Sequence, residues 1–215
     1  MKLKKFREVF NRHPIIFSII LYALYTSFFF LTERFNTREA FLIHSYLDDL
    51  IPFGRFAVIP YCLWFPEIAI TLLYVYFFKD EDEFFRDVFL PLILMFCSLP
   101  IYYLFPTEIN LRPATVPGSD IFATLTRFIY SVDDSRNVCP SIHVGVCFLM
   151  SDIWKRNTNR KTGIFMTILN AIISLSTLFL KQHSIIDVFA GLIYGFIVKT
   201  IIDSFVFTDQ RKDHV

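Results

Sequence analysis

The chain has 215 residues, of which 54% are hydrophobic and only 19% charged, with 27 Phe and a mean hydropathy of +0.50. So large an excess of apolar side chains excludes a water-soluble globular domain. A formal net charge of +1, from 21 Lys and Arg against 20 Asp and Glu, gives no electrostatic ground for a nucleic-acid partner.

In chain order, apolar segments at 14–32, 56–78, 88–105, 140–154, 163–180 and 185–207 predict six membrane-spanning helices. Most are near the ~20 residues a helix needs to cross a ~30 Å hydrocarbon layer. The first follows the basic stretch MKLKKFREVFNR, is long, and ends at Thr32-Glu33-Arg34 without a small-residue cleavage site, so it reads as an uncleaved anchor. The fourth is short and contains His143 and Asp152; the sixth carries Asp187 near its start and Lys199 and Asp203 near its end. Helices are the expected element because backbone groups in lipid must be satisfied within the segment, and nothing alternates as a barrel strand does. The expectation is an all-α polytopic bundle, one membrane domain over 1–215, with its motifs at the outer membrane surface.

Topology follows from the cations. The amino end, the 79–87 and 155–162 loops and the tail from Lys199 hold 14 Lys and Arg, the opposite side seven. Excess positive charge marks the cytoplasmic face of a cell membrane, so both termini are expected inside and 33–55, 106–139 and 181–184 outside. The segment 33–55 and the stretch Ser119 to Tyr130 mix apolar and polar residues at helical spacing and fit an interfacial position. Cys62, Cys97, Cys139 and Cys147 lack paired CxxC spacing, and three of them fall in apolar runs, so neither a disulfide framework nor a zinc site is expected.

Three short polar motifs remain outside the spans, all on the outer side of that topology. The first, Phe105 to Pro113, offers Arg112, a permanent planar cation suited to bidentate recognition of phosphate or carboxylate. The second, Cys139-Pro140-Ser141-Ile142-His143, opens the fourth span. Proline fits a first helical turn, and the free N–H groups behind it, that of Ile142 among them, form an anion site to which Ser141 adds a hydroxyl. The third, STLFLKQHSIID (Ser176 to Asp187), sets His183 and Asp187 four apart, on one face if a helix begins near His183. Asp187 can then accept from one ring nitrogen of His183 and leave the other free for attack or proton transfer. Lys181 adds a second cation nearby. Two His and an Asp are also a conceivable metal set, but HExxH spacing is missing and the adjacent Arg and Lys oppose a cation.

These motifs resemble those of the type-2 phosphatidic acid phosphatase superfamily, which read K-x6-R-P, P-S-G-H and S-R-x5-H-x3-D in that order. The chain has Arg112-Pro113, Pro140-Ser141-Ile142-His143 and Ser176-Thr177-x5-His183-x3-Asp187, within a motif-bearing part spanning 105–190. It departs at three positions: Phe105 stands where the lysine is usual, Ile142 where the glycine is, and Thr177 where the arginine is. Its Cys-Pro-Ser-x-His and Lys-Gln-His, with the run from Ile51 to Trp64, look more like the branch that includes inositol phosphorylceramide synthases and bacterial relatives. The resemblance implies a metal-independent, cofactor-free lipid phosphatase cleaving a phosphate or pyrophosphate ester. In it His183 forms a phosphohistidine, Asp187 orients His183, His143 protonates the leaving oxygen, and Arg112, Ser141 and Ile142 hold the phosphoryl oxygens. Lys181 and Ser176 are supporting candidates, Lys181 as a replacement for a missing cation. The branch implies the alternative of a phosphotransferase moving a phosphorylated head group, such as phosphoinositol, between lipids. A transport or non-enzymatic bundle is the remaining reading, against which stand the lack of internal repeats and the gathering of charge near one surface.

Other polar residues carry plainer expectations. Glu67 inside the second span reads as a structural partner for a neighbouring helix, and Asp48 and Asp49 as a solvated loop pair. Lys79 to Glu83 reads as a solvated loop, His44 has no assigned partner, and His13 and His214 belong to the ends.

Overall fold

A computed structural model describes residues 10–205. Most of the basic amino-terminal stretch, the last two residues of the sixth expected span and His214 lie outside these. The chain is mostly helical, at 74%. Among the described residues, five helices are long and apolar enough to cross a membrane: Pro14–Phe35 (α1), Arg55–Phe78, Glu81–Leu104 (α5), Arg160–Phe179 (α8) and Ile185–Ser204, which belongs to α9 (Ile185–Phe205). The second of these is subdivided into a 3-10 turn, Arg55–Ala57, then α3 (Val58–Cys62) and α4 (Trp64–Phe78).

The fourth expected span is α7 (Ile142–Asn157), a helix of 16 residues, shorter than the others. Its position explains why. α7 packs against α4, α5, α8 and α9, and 12 of its residues are buried, so protein and not lipid surrounds it. Gly, Ser and Cys therefore replace large apolar residues along it, since close approach of helices matters more there than hydrophobicity. The contact with α9 is closest at Gly191 and Gly195: a Cβ on Gly191 would lie 2.5 Å from the Ser141 carbonyl oxygen, and one on Gly195 3.1 Å from that of Gly145. This small-residue seam brings the second and third motifs together, and the Ser141 N–H donates to the Asp187 carbonyl at 3.2 Å.

α1 packs on α5, which carries Pro91 and Pro100 within it. The outer faces of α1, α8 and α9 expose Ile16, Ile20, Phe165, Ile172, Phe189 and Phe196, a surface that suits acyl chains. Glu67 accepts from Thr71 Oγ1 at 3.1 Å and Asn170 Nδ2 at 3.3 Å, while Trp154 Nε1 donates to Thr71 Oγ1 at 2.8 Å, so α4, α8 and α7 are tied at mid-depth.

The connections at the histidine end form a cap. Strands Phe41–Leu42 (β1) and Thr107–Glu108 (β2) pair in parallel, Phe41 with Thr107. A short helix, Tyr46–Leu50 (α2), and the amphipathic Ile121–Val132 (α6) complete it. α6 is too short to span and opens on Asp120, whose side chain accepts from the Ala123 N–H at 2.9 Å.

Candidate active site

The third motif begins as α8 stops. Lys181 N–H bonds the Leu178 carbonyl at 3.1 Å and Gln182 N–H bonds that of Thr177 at 2.9 Å, the paired bonds of a Schellman turn. The turn needs a left-handed residue, and Lys181, at φ 55°, takes that place without being glycine. The strain, of order 1–2 kcal/mol, is offset by its ammonium, which donates to the carbonyls of Asp48 at 2.7 Å and Ile51 at 2.6 Å. Lys181 is thus turned toward the α2 segment, away from the histidines, and burial lowers its pKa.

Asp48 fastens the other side of the same turn. Its carboxylate accepts from the Ile185 N–H at 2.8 Å, Ser184 Oγ at 2.7 Å and the Ser45 N–H at 2.8 Å, capping α9 and α2 together. At 1% exposure it is not the solvated residue the sequence suggests; that reading suits only Asp49, which pairs with His44 at 2.9 Å. Between these anchors the chain delivers Gln182 and His183 to a cavity.

His183 Nδ1 faces Asp187 Oδ2 at 3.5 Å, and the same oxygen accepts from the Ser184 N–H at 2.8 Å. His143, in the first turn of α7, lies by the rings of Tyr61 and Trp64, with centroids at 4.9 and 4.4 Å, and meets the His183 ring edge-on at 5.7 Å. His143 Nε2 is buried without a hydrogen-bond partner. Arg112 donates to Gln182 Oε1 and to the Asp134 carbonyl, and its guanidinium stacks over Tyr130 at 4.4 Å. Gln182 Nε2 in turn reaches Asp133 at 3.5 Å, and Tyr61 Oη donates to that carboxylate at 3.1 Å. Burial pushes the Asp133 carboxyl above the usual range, opposed first by Arg112 and then by His183. Cys139 stands on the other flank, its thiol raised to about 12 by burial and then by the Asp187 charge.

His183, Asp187 and His143 therefore meet, with Ile142 lining the same cavity as the histidines and Arg112 one side chain away through Gln182. Three expected phosphate ligands, Ser176, Lys181 and Ser141, do not join them. Ser176 is buried in α8, its hydroxyl donating to the Ile173 carbonyl at 2.6 Å, and Lys181 is tied as described. Ser141 is fully buried as the α7 N-cap, accepting from the Val144 N–H at 3.4 Å. Thr177, at the position of the missing arginine, bonds back to the Ser174 carbonyl, and Phe105, at that of the lysine, is 61% exposed. Sequence reasoning missed Asp133, Gln182, Tyr61 and Trp64; Gln182 stands in the third motif and Tyr61 and Trp64 in the run from Ile51 to Trp64, but no spacing rule pointed to them.

The histidines, Asp133 and Gln182 form the polar end of a cavity of about 600 Å3 whose apolar walls come from α1 and α4. A nucleophilic imidazole backed by a carboxylate, a second imidazole beside it and a guanidinium nearby can together attack, protonate and neutralise an anionic group. A sequence profile of the PAP2 superfamily matches residues 37–201. No curated protein and no solved structure matches the chain.

Proposed function

The chain belongs to the PAP2 superfamily, whose members are phosphoric ester hydrolases or phosphotransferases, and on that premise we propose that it is a metal-independent lipid phosphatase working through phosphohistidine. The observation that carries this is the pairing of His183 with Asp187 at 3.5 Å, beside His143, at the mouth of an apolar cavity.

The free nitrogen of His183 attacks phosphorus, an N–P bond forms, and the bond to the lipid oxygen breaks. His143, protonated, gives its proton to that oxygen. In the second half a water oxygen attacks the phosphohistidine, His143 takes its proton, and the N–P bond breaks. Asp187 fixes the His183 ring and stabilises its positive charge, while Arg112 and the Ile142 N–H face the non-bridging oxygens, where phosphoryl transfer needs most stabilisation. The site faces outward by the distribution of cations along the chain.

Charge favours a second reading. With Phe105 and Thr177 at the usual cation positions and Lys181 tied to carbonyls, Arg112 is the cation that the three motifs leave beside the histidines, and the Gln182 it bonds also reaches Asp133. Such a pocket suits a singly charged phosphodiester better than a dianionic monoester. With a phosphodiester the head group stays on His183 and passes to water or to a second lipid alcohol.

Phosphatidate, polyprenyl pyrophosphate and phosphatidylinositol, supplied separately to purified protein with and without a lipid alcohol, distinguish the two: free phosphate, or inositol phosphate from phosphatidylinositol, means hydrolysis, and a new phospholipid means transfer. His183→Ala should abolish both products and any acid-labile phosphoenzyme. Wild-type turnover in that variant would remove His183 as the nucleophile.

A further inference from the structure

We propose that the apolar cavity beneath the histidines receives an acyl chain of the substrate and that the indole N–H of Trp64 donates to the carbonyl at the head of that chain. The site would thereby prefer acyl-linked lipids over purely hydrocarbon ones. The inference rests on the lipid-phosphate reading above and adds a determinant of which lipid is taken.

The cavity is continuous with the histidines and extends far from them. Its α1 wall runs from Ile15 to Phe30, about 22 Å of helix axis at ~1.5 Å per residue, too long for a head group and a large part of a ~30 Å hydrocarbon layer. Its α4 wall runs from Trp64 to Leu73. α1 precedes residue 37, so this wall lies outside the residues shared with the family profile.

Trp64 supplies the polar observation. It lines the cavity, is 7% exposed, lies with its ring centroid 4.4 Å from that of His143 at a tilt of 42°, and its Nε1–H is buried with no acceptor. A buried donor in an apolar wall is costly unless paired, and an indole N–H ordinarily finds a partner. The other tryptophan does: Trp154 Nε1 donates to Thr71 Oγ1 at 2.8 Å. If the leaving oxygen lies by His143, the ester or amide carbonyl of a glycerolipid or ceramide-type lipid is only a few bonds away, within reach of Trp64. A polyprenyl phosphate has no acceptor at that depth.

The test uses full-length protein in vesicles with ester- and ether-linked forms of phosphatidate and of phosphatidylinositol, and with polyprenyl phosphate. The lipid alcohol released is measured, which hydrolysis and transfer share. Ester forms should exceed ether forms in kcat/KM by about fivefold or more, the weight of one hydrogen bond, with polyprenyl phosphate lowest. Trp64→Phe, which keeps the ring and removes the N–H, should bring the ester-to-ether ratio toward one. Ala69→Phe, narrowing the cavity, should shift preference to shorter chains. Occupancy is also read without turnover, as quenching of Trp64 fluorescence in Trp154→Phe protein by chain-brominated phosphatidate. Equal losses on ester and ether lipids in Trp64→Phe, a preference for polyprenyl phosphate, or absent quenching would each overturn the proposal. Release that survives His183→Ala would instead overturn the phosphohistidine reading, leaving the quenching result to decide on the chain site.

Discussion

At one end of the bundle the charges close on each other; at the other they do not. Where α5 begins and α7 and α9 end, Asp87 is fully buried yet accepts from Arg156 at 2.9 Å and Asn157 at 2.7 Å. Arg156 also holds Asp152 at 2.8 Å, and Asp203 receives Lys199 at 2.8 Å and Arg86 at 2.6 Å. Asp87, Asp152 and Asp203 thus each have a cation. At the opposite end His143 Nε2 and Arg112 Nε are buried without partners, and His183 Nδ1 only faces Asp187 at 3.5 Å. Unpaired groups are costly in a medium of low dielectric, and on the function proposed above an anionic ligand offsets that cost at the histidine end, as the cations do for Asp87, Asp152 and Asp203. The difference separates polar residues that hold helices together from those that meet substrate.

The sharpest way to break this comparison is to exchange the consequences of mutation at the two ends. His143→Gln keeps a polar side chain of similar reach and removes the acid. Turnover should fall about 10²- to 10⁴-fold, the usual weight of a general acid, while the thermal midpoint in detergent stays near wild type. A large loss of stability with activity per folded molecule intact would make His143 a packing residue beside Tyr61 and Trp64.

Asp87→Ala is the mirror test. It leaves Arg156 and Asn157 without their buried acceptor, and breaking such a pair costs about 3–5 kcal/mol. Folded yield and thermal midpoint should drop clearly while turnover per folded molecule stays within about twofold of wild type. Activity lost in proportion at unchanged stability would assign this end a role in function that its closed network does not suggest.

The helices were largely legible because lipid leaves the backbone few alternatives, and the apolar runs of α1, α4, α5, α8 and α9 carry that constraint openly. α7 was legible as a segment but not as a buried centre, since short length and small residues do not reveal which helices surround it. The spacing of His183 and Asp187 pointed to their meeting but not to its geometry: α9 begins at Ile185, so His183 precedes the helix and faces an Asp187 carboxylate that also accepts from the Ser184 N–H. Asp133 and Gln182 were not legible, because their meeting depends on the end of α6 folding against the turn after α8, contacts between residues about fifty apart. Asp48 was misread for the same reason: an acid in a polar loop looks solvated until the chain 136 residues later brings Ser184 to it.

Lys181 sits between the two classes and gives the finest test of the distinction. The sequence offers it as a substitute for a missing phosphate-binding cation, whereas its bonds to the Asp48 and Ile51 carbonyls make it a clamp on the turn that presents His183. Two substitutions separate these roles. Lys181→Ala removes the ammonium but keeps a Cβ at φ 55°, so the charge-assisted bonds are lost, at about 1.5–3 kcal/mol, while the left-handed strain remains. Lys181→Gly removes the same ammonium and relieves that strain, so it should be about 1 kcal/mol more stable than the alanine variant. If Lys181 is a clamp, turnover tracks stability and the glycine variant is the more active of the two. A phosphate-binding lysine would behave otherwise: both variants would lose activity equally, as Arg112→Ala should, because neither restores the charge.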